Sequence, residues 1–272
     1  MQDKGDIVEI QVIISTMHNK KENLDVSVQE KPNLIVINQN PNILDSALTE
    51  KKLENYSWID IDQKGLSKSR NLGIKKSYME LLYLSDDDIV LNSNFDEIVL
   101  EAFKNRPDAD IIAFQVSGIE RKFKEYSDKP FKSSYLSSLK FSSVQLVYKK
   151  SFLIENNLLF DVNFGAGAVF KMGEENIFLF DCLKKNANIY YEPKEIAKVH
   201  MDDSSWFEGF NYKYFFDRGA IFYRMMGPIS NLYSLLFCIR KAKLIEKPLN
   251  IWNAYLASQE GKKEYLRMIR QN

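Results

Sequence analysis

Met79-Glu80-Leu81-Leu82-Tyr83-Leu84-Ser85-Asp86-Asp87-Asp88 is the stretch on which the fold turns. A short apolar run breaks directly into three adjacent carboxylates, which reads as a buried strand over 79–84 ending in a charged loop. Like charges at this spacing repel, so a folded chain keeps them together only with water or a cation to balance them. One reading is a solvated acidic loop. The other is a site for a hard divalent ion, Mn²⁺ or Mg²⁺, held by carboxylates together with substrate phosphates.

The flanking sequence favours the second reading. Ile7-Val8-Glu9-Ile10-Gln11-Val12-Ile13-Ile14 predicts a buried strand that ends in Ser15-Thr16. A second strand, 33–38, follows Pro32 and ends in Gln39-Asn40-Pro41; a third, 57–61, leads to Gly65. Ser67-Lys68-Ser69-Arg70-Asn71 then opens a helix that runs through Tyr78. Strands alternating with helices predict an α/β fold with a mainly parallel sheet flanked by helices. Ligands of such sheets lie outside the carboxyl ends of the strands, and all four polar clusters fall at that edge.

Downstream, the pattern predicts a helix over 95–104, strands over 109–116 and 144–148, and a polar loop or pair of edge strands over 120–143. Phe164-Gly165-Ala166-Gly167 leads to Gly173-Glu174-Glu175-Asn176 and an amphipathic helix over 177–185. Two further strands, 188–192 and 196–200, bring the chain to His200, with Asp202, Asp203, Ser204 and Ser205 beyond it. The expected domains are a catalytic unit over 1–206, with halves near 1–90 and 91–206, and a helical extension over 207–272.

Composition narrows the function. The chain has 272 residues, 45% apolar and 27% charged, as in an ordinary globular protein. Cys182 and Cys238 have no partner spacing, which disfavours a disulfide framework or a zinc site. The polar start lacks a secretory signal and no apolar run approaches a membrane span, so a cytoplasmic protein is expected. A P-loop, a Gly-x-Gly-x-x-Gly turn and a Gly-x-Ser-x-Gly elbow are all missing, which disfavours nucleotidases, dinucleotide oxidoreductases and serine hydrolases of those types. Net charge is zero, yet 207–272 carries eleven Lys and Arg against five Asp and Glu. That basic, aromatic-rich part reads either as a helical subdomain packed on the sheet or as a surface for the inner face of a membrane. No nucleic-acid-binding module accompanies it.

Each candidate side chain has a bland reading beside a chemical one. Arg70 is a surface residue, a phosphate clamp or an ion-pair partner of the aspartates. Glu174 and Glu175 either complement a helix dipole or include a general base. His200 is a structural histidine or a further metal ligand.

Together these segments resemble the family 2 inverting glycosyltransferases of the GT-A fold, including bacterial polysaccharide-assembly enzymes. Gly65-Leu66-Ser67-Lys68-Ser69-Arg70-Asn71-Leu72-Gly73-Ile74 is similar to that family's Gly-Leu-Ser-x-x-Arg-Asn-x-Gly-Ile segment, and Asp86-Asp87-Asp88 to its Asp-x-Asp motif. Gly173-Glu174-Glu175 resembles its Gly-Glu-Asp motif, and His200 its late histidine. The resemblance implies a Rossmann-type, GT-A-like sheet and donor contacts from Thr16, Gln39, Gly65, Ser67, Arg70, Asp86 and Asp87. It further implies metal ligation by Asp86, Asp88 and His200, and Glu175 or Glu174 as base. The implied donor is a nucleotide-diphosphate sugar, UDP-linked first of all, and the implied acceptor a glycan or polyprenyl-linked glycan. No Gln-x-x-Arg-Trp signature of processive polymerases is present, so transfer of a single sugar is expected. The competing accounts are a sugar-phosphate nucleotidyltransferase and a catalytically silent nucleotide- or carbohydrate-binding module.

Overall fold

The structure is a computed structural model that describes residues 9–18, 24–31, 33–40, 48–52, 56–201 and 209–271. Ile7, Val8, Pro32, Pro41, the 202–205 run behind His200, Trp206 and Phe207 lie outside the described residues.

The first β-branched run forms β1 (Ile10–Met17), with β2 (Leu34–Gln39) and β5 (Leu81–Asp86) parallel on either side. β4 (Tyr56–Ile61) continues the parallel set beside β2, and β3 (Leu48–Lys52) closes that edge antiparallel to β4. β2 and β5 are buried along their whole length, as central strands covered on both faces should be. Their register gathers the polar ends: Ser15 lies opposite Asp86, Thr16 opposite Asn38, and Met17 opposite Gln39.

The short helix α1 (Val26–Gln29) follows β1, and α2 (Leu66–Lys76) follows β4. Beyond β5 come β6 (Ile89–Leu91), α3 (Phe95–Asn105), β7 (Ile111–Gly118), β8 (Phe131–Lys132) and α4 (Tyr135–Ser138). Then follow β9 (Leu146–Lys149), α5 (Lys150–Glu155), α6 (Glu174–Lys184) and β10 (Ile189–Val199). The strand order is β3-β4-β2-β1-β5-β9-β7-β10-β6, with β8 on β10. β9 enters antiparallel between β5 and β7, so the second half of the sheet is mixed, whereas β4-β2-β1-β5 is wholly parallel.

Where two strands are expected over 188–200, one irregular strand forms. Ile189–Tyr191 pairs with Ile111–Ala113, and pairing resumes around Glu195 with a shifted register. Pro193 falls in the gap, where its missing N–H breaks the ladder and favours a bulge.

The chain ends in α7 (Tyr212–Met226), α8 (Ser230–Lys241) and α9 (Ile251–Gln271). α7 and α9 cross so closely that a Cβ at Gly219 would stand 1.8 Å from the Ser258 carbonyl oxygen, and one at Gly261 1.8 Å from that of Phe216. Ala220, Ile221, Phe222 and Met225 of α7, with Tyr265 of α9, form a core with Phe164, Phe170, Ile177 and Phe180. Phe222 and Tyr265 thus bury against the segment that carries Glu174 and Glu175, whereas Tyr214 and Phe215 pack with Cys238, Ala254 and Ala257 among the helices themselves. Among the described residues, no helix is long and apolar enough to cross a membrane.

Candidate active site

The Ser67–Asn71 segment turns its polar groups into the protein. Gly65 opens α2 at φ 133°, a conformation that glycine adopts without steric penalty. Its N–H donates to Gln39 Oε1 at 2.6 Å, and the Leu66 N–H donates to the Ala166 carbonyl at 2.9 Å. Ser67 Oγ donates to the Phe164 carbonyl at 2.6 Å, and Ser69 Oγ to Ser15 Oγ at 2.8 Å. Asn71 binds Phe160 twice: Nδ2 donates to its carbonyl and Oδ1 accepts from its N–H, both at 2.8 Å. These bonds clamp the start of α2 to the carboxyl ends of β1 and β2 on one side and to residues 160–166 on the other. Of the groups the resemblance assigns to the donor, the Ser67 hydroxyl and Gln39 Oε1 serve as ties of this clamp.

Arg70, 1% exposed, sits at the centre. Its Nη1 donates to Glu174 Oε1 at 3.1 Å, and its Nη2 to Asp86 Oδ1 at 3.0 Å and Ser143 Oγ at 2.9 Å. Of the three readings of Arg70, the ion-pair partner is the one seen. One guanidinium therefore faces two buried carboxylates and cannot neutralise both. Burial, then the neighbouring Glu175 charge, pushes Glu174 up to about 8 despite Arg70. Burial likewise raises Asp86, against the pull of Arg70. Burial works to lower the pKa of Arg70 itself, but Asp86 and Glu174 more than offset it.

Two carboxylate oxygens at this strand end, Asp86 Oδ2 and Asp88 Oδ1, are buried without a hydrogen-bond partner. Burial and the adjacent Asp86 and Asp87 charges raise Asp88 to about 7. Asp87 points elsewhere, accepting from the Thr16 hydroxyl. The His200 N–H donates to the Asp88 carbonyl at 2.9 Å, which fixes the histidine beside the aspartates. Its ring Nδ1 lies 2.7 Å from Glu120 Oε1, and Glu120 Oε2 accepts from the Met201 N–H at 2.6 Å. A carboxylate behind one ring nitrogen is the usual support of a ligating imidazole. Among the described residues, however, no three His, Cys, Asp or Glu side chains stand together as a metal-holding group. The open oxygens of Asp86 and Asp88 fit a Mg²⁺ or Mn²⁺ ion completed by phosphate oxygens and water, not a closed all-protein cage.

A raised carboxyl pKa means that the folded state holds a proton which the unfolded chain has already released. Stability should therefore be greatest near pH 4–5 on this count and fall as pH rises towards about 8, where Glu174 ionises. Thermal melts across this range should show the decline, and Glu174→Gln should make it shallower, leaving the part that Asp86 and Asp88 contribute. An unchanged slope in that variant would remove Glu174 as its source.

A cavity of about 600 Å³ opens beside the glutamates, lined by Met17, Lys64, residues 166–168, Lys171, Glu174, Glu175 and, from α7, Lys213, Tyr214 and Asp217. Gly173, at φ 86° under Ile221, makes the turn that starts α6 there. The two acids separate by role: Glu174 is buried on Arg70, and Glu175 is partly exposed on the cavity wall. Lys124, from the polar 120–143 segment, lies close enough to feel the Glu175 charge, and burial lowers it to about 8. The sequence pattern did not single out Lys124, Glu120, Ser143 or the α7 wall, because nothing in their local spacing marks them.

The profile of Glycosyl transferase family 2 matches residues 26–178, more than half of the chain. The chain belongs to that family. This glycosyltransferase also resembles solved structures of TarS from S. aureus. TarS 1–349 aligns with a TM-score of 0.57 and 14% identity over 97% of this chain and 91% of that one. The same piece in complex with UDP-GlcNAc aligns at 0.57 and 15% over 88% and 74%. Its complex with UDP aligns at 0.57 and 13% over 97% and 91%. Identities this low show a shared GT-A-like fold and nothing finer. No curated protein sequence matches this family 2 glycosyltransferase.

Proposed function

We propose that this glycosyltransferase moves one sugar from a UDP-linked donor to a hydroxyl of a glycan or lipid-linked glycan, with inversion at the anomeric carbon. The observation that carries the reading is the pair of buried, unpartnered oxygens on Asp86 and Asp88, with Asp86 joined through Arg70 to the acidic start of α6 at the cavity wall. The TarS neighbours with UDP-GlcNAc and UDP support a uridine nucleotide donor.

Asp86 and Asp88 would hold Mn²⁺ or Mg²⁺, with His200 beside them. Such an ion, when bound, neutralises a leaving diphosphate as a Lewis acid. Glu175 takes the proton of the acceptor hydroxyl as that oxygen bonds to the anomeric carbon from the face opposite the diphosphate. Glu174 stays inward and fixes Arg70. The clamp around residues 160–166 orders the wall that brings donor and acceptor together, and such positioning supplies much of a two-substrate acceleration.

A thermal-shift screen of nucleotide sugars with and without Mn²⁺ tests the donor. A saturating ligand at 100 times its Kd should stabilise the fold by about 2.7 kcal/mol, and only with the cation present. Equal melting with every nucleotide sugar, with or without cation, would count against a nucleotide-sugar site. Stabilisation without sugar transfer or donor hydrolysis would instead favour a silent binding module.

A further inference from the structure

The helix α8 has two opposed faces. Tyr233 and Phe237 pack on Phe222 of α7, and Cys238 is buried with Tyr214 and Phe215. On the other side, Ile229 just before the helix, Leu232, Leu236 and Ile239 recur at three- and four-residue steps and form one stripe. They are 70%, 61%, 54% and 53% exposed. An exposed aliphatic row of this kind, rimmed by polar residues, marks a surface meant to be covered.

The charge around the stripe says by what. Over 227–252 the exposed Arg240, Lys243 and Lys247 stand against a single acid, Glu246, while Lys241 turns its Nζ over the Phe210 ring on the packed side. A second copy offers this fringe no counter-charge: packed antiparallel, each basic 240–247 end would face the uncharged 229–232 end of the other, and packed parallel the like charges would meet. An anionic headgroup layer would pair with the basic fringe while the aliphatic row enters the acyl boundary. We propose that the outer face of α8 is a peripheral docking surface for a membrane rich in anionic phospholipid. α7, on which α8 packs, also lines the cavity through Lys213, Tyr214 and Asp217, so docking would hold the cavity close to the lipid surface. The inference rests on this packing and charge and is independent of the transferase reading.

Flotation of the full chain tests it, using vesicles of phosphatidylcholine with or without phosphatidylglycerol. Binding should need the anionic lipid and weaken at high salt. It should fall about fivefold for each of Arg240→Gln and Lys243→Gln. Leu232→Glu with Leu236→Glu should remove it, and Leu136→Glu, an equally exposed change on α4, should leave it intact. Unchanged melting of each variant would show that the fold is kept. The proposal is overturned if the chain ignores anionic vesicles at low salt, or if both the basic and the aliphatic substitutions leave flotation unaltered. A concentration-dependent dimer that Leu232→Glu abolishes, with no flotation, would assign the face to a second copy and also overturn it. Nucleotide-sugar binding is read separately in vesicle-free solution.

Discussion

Glu175→Gln should lower kcat by about 10²–10⁴-fold while leaving the melting temperature and donor affinity close to wild type. The amide keeps the shape of the side chain and its place on the cavity wall but cannot accept a proton at neutral pH. Loss of a group that acts only as the bond forms lowers kcat and kcat/KM together. Steady-state kinetics with a sugar-transfer readout checks this. Glu174→Gln is the informative companion, because Glu174 is buried on Arg70 and should alter stability and its pH dependence more than turnover. If the two substitutions exchanged these effects, Glu174 would be the base.

Arg70→Met should destabilise the protein by about 3–5 kcal/mol, the usual cost of leaving buried charge without its partner. Here one change strands Asp86 on β5, takes the hydrogen-bond donor from the Glu174 carboxyl on α6, and removes the bond to Ser143. Urea unfolding monitored by circular dichroism measures the loss. Adding Glu174→Gln should restore little near neutral pH, where burial already keeps Glu174 largely protonated and Asp86 is the charge left without a partner, and more at pH 9, where Glu174 would ionise; the double-mutant cycle at the two pH values gives the coupling directly. A loss within the range of ordinary surface substitutions would mean that water or other side chains already compensate the acids.

The parallel core was legible because its signals are local. β1 and β2 are rich in β-branched residues, β4 in aromatic residues and isoleucine, and β5 in leucine, and each leads into a polar loop at the same edge. β3 escaped notice, since Leu48-Thr49-Glu50-Lys51-Lys52 is an edge strand whose polarity hides its pairing with β4. The apolar pattern reads as two strands, 188–192 and 196–200, whereas pairing with β7 carries the chain across the bulge at Pro193 as one strand, β10. The candidate site shows the same division. Spacing marks Arg70, the aspartates and the glutamates, but it cannot say that Arg70 joins Asp86 to Glu174, which lies 104 residues beyond the arginine. Nor could it show that Lys213 and Asp217, one helical turn apart, would wall the cavity from the far end of the chain. Such contacts come from the packing of α7 onto residues 164–180, which no local pattern encodes.

Calorimetric titration of UDP into the protein, with Mn²⁺ and without it, measures the central claim most directly when repeated on Asp88→Ala. The wild type should bind the nucleotide far more tightly with the cation, and the variant should lose that gain while it melts like the wild type. Identical UDP affinity in all four titrations would separate the acidic strand end from the diphosphate and contradict the account.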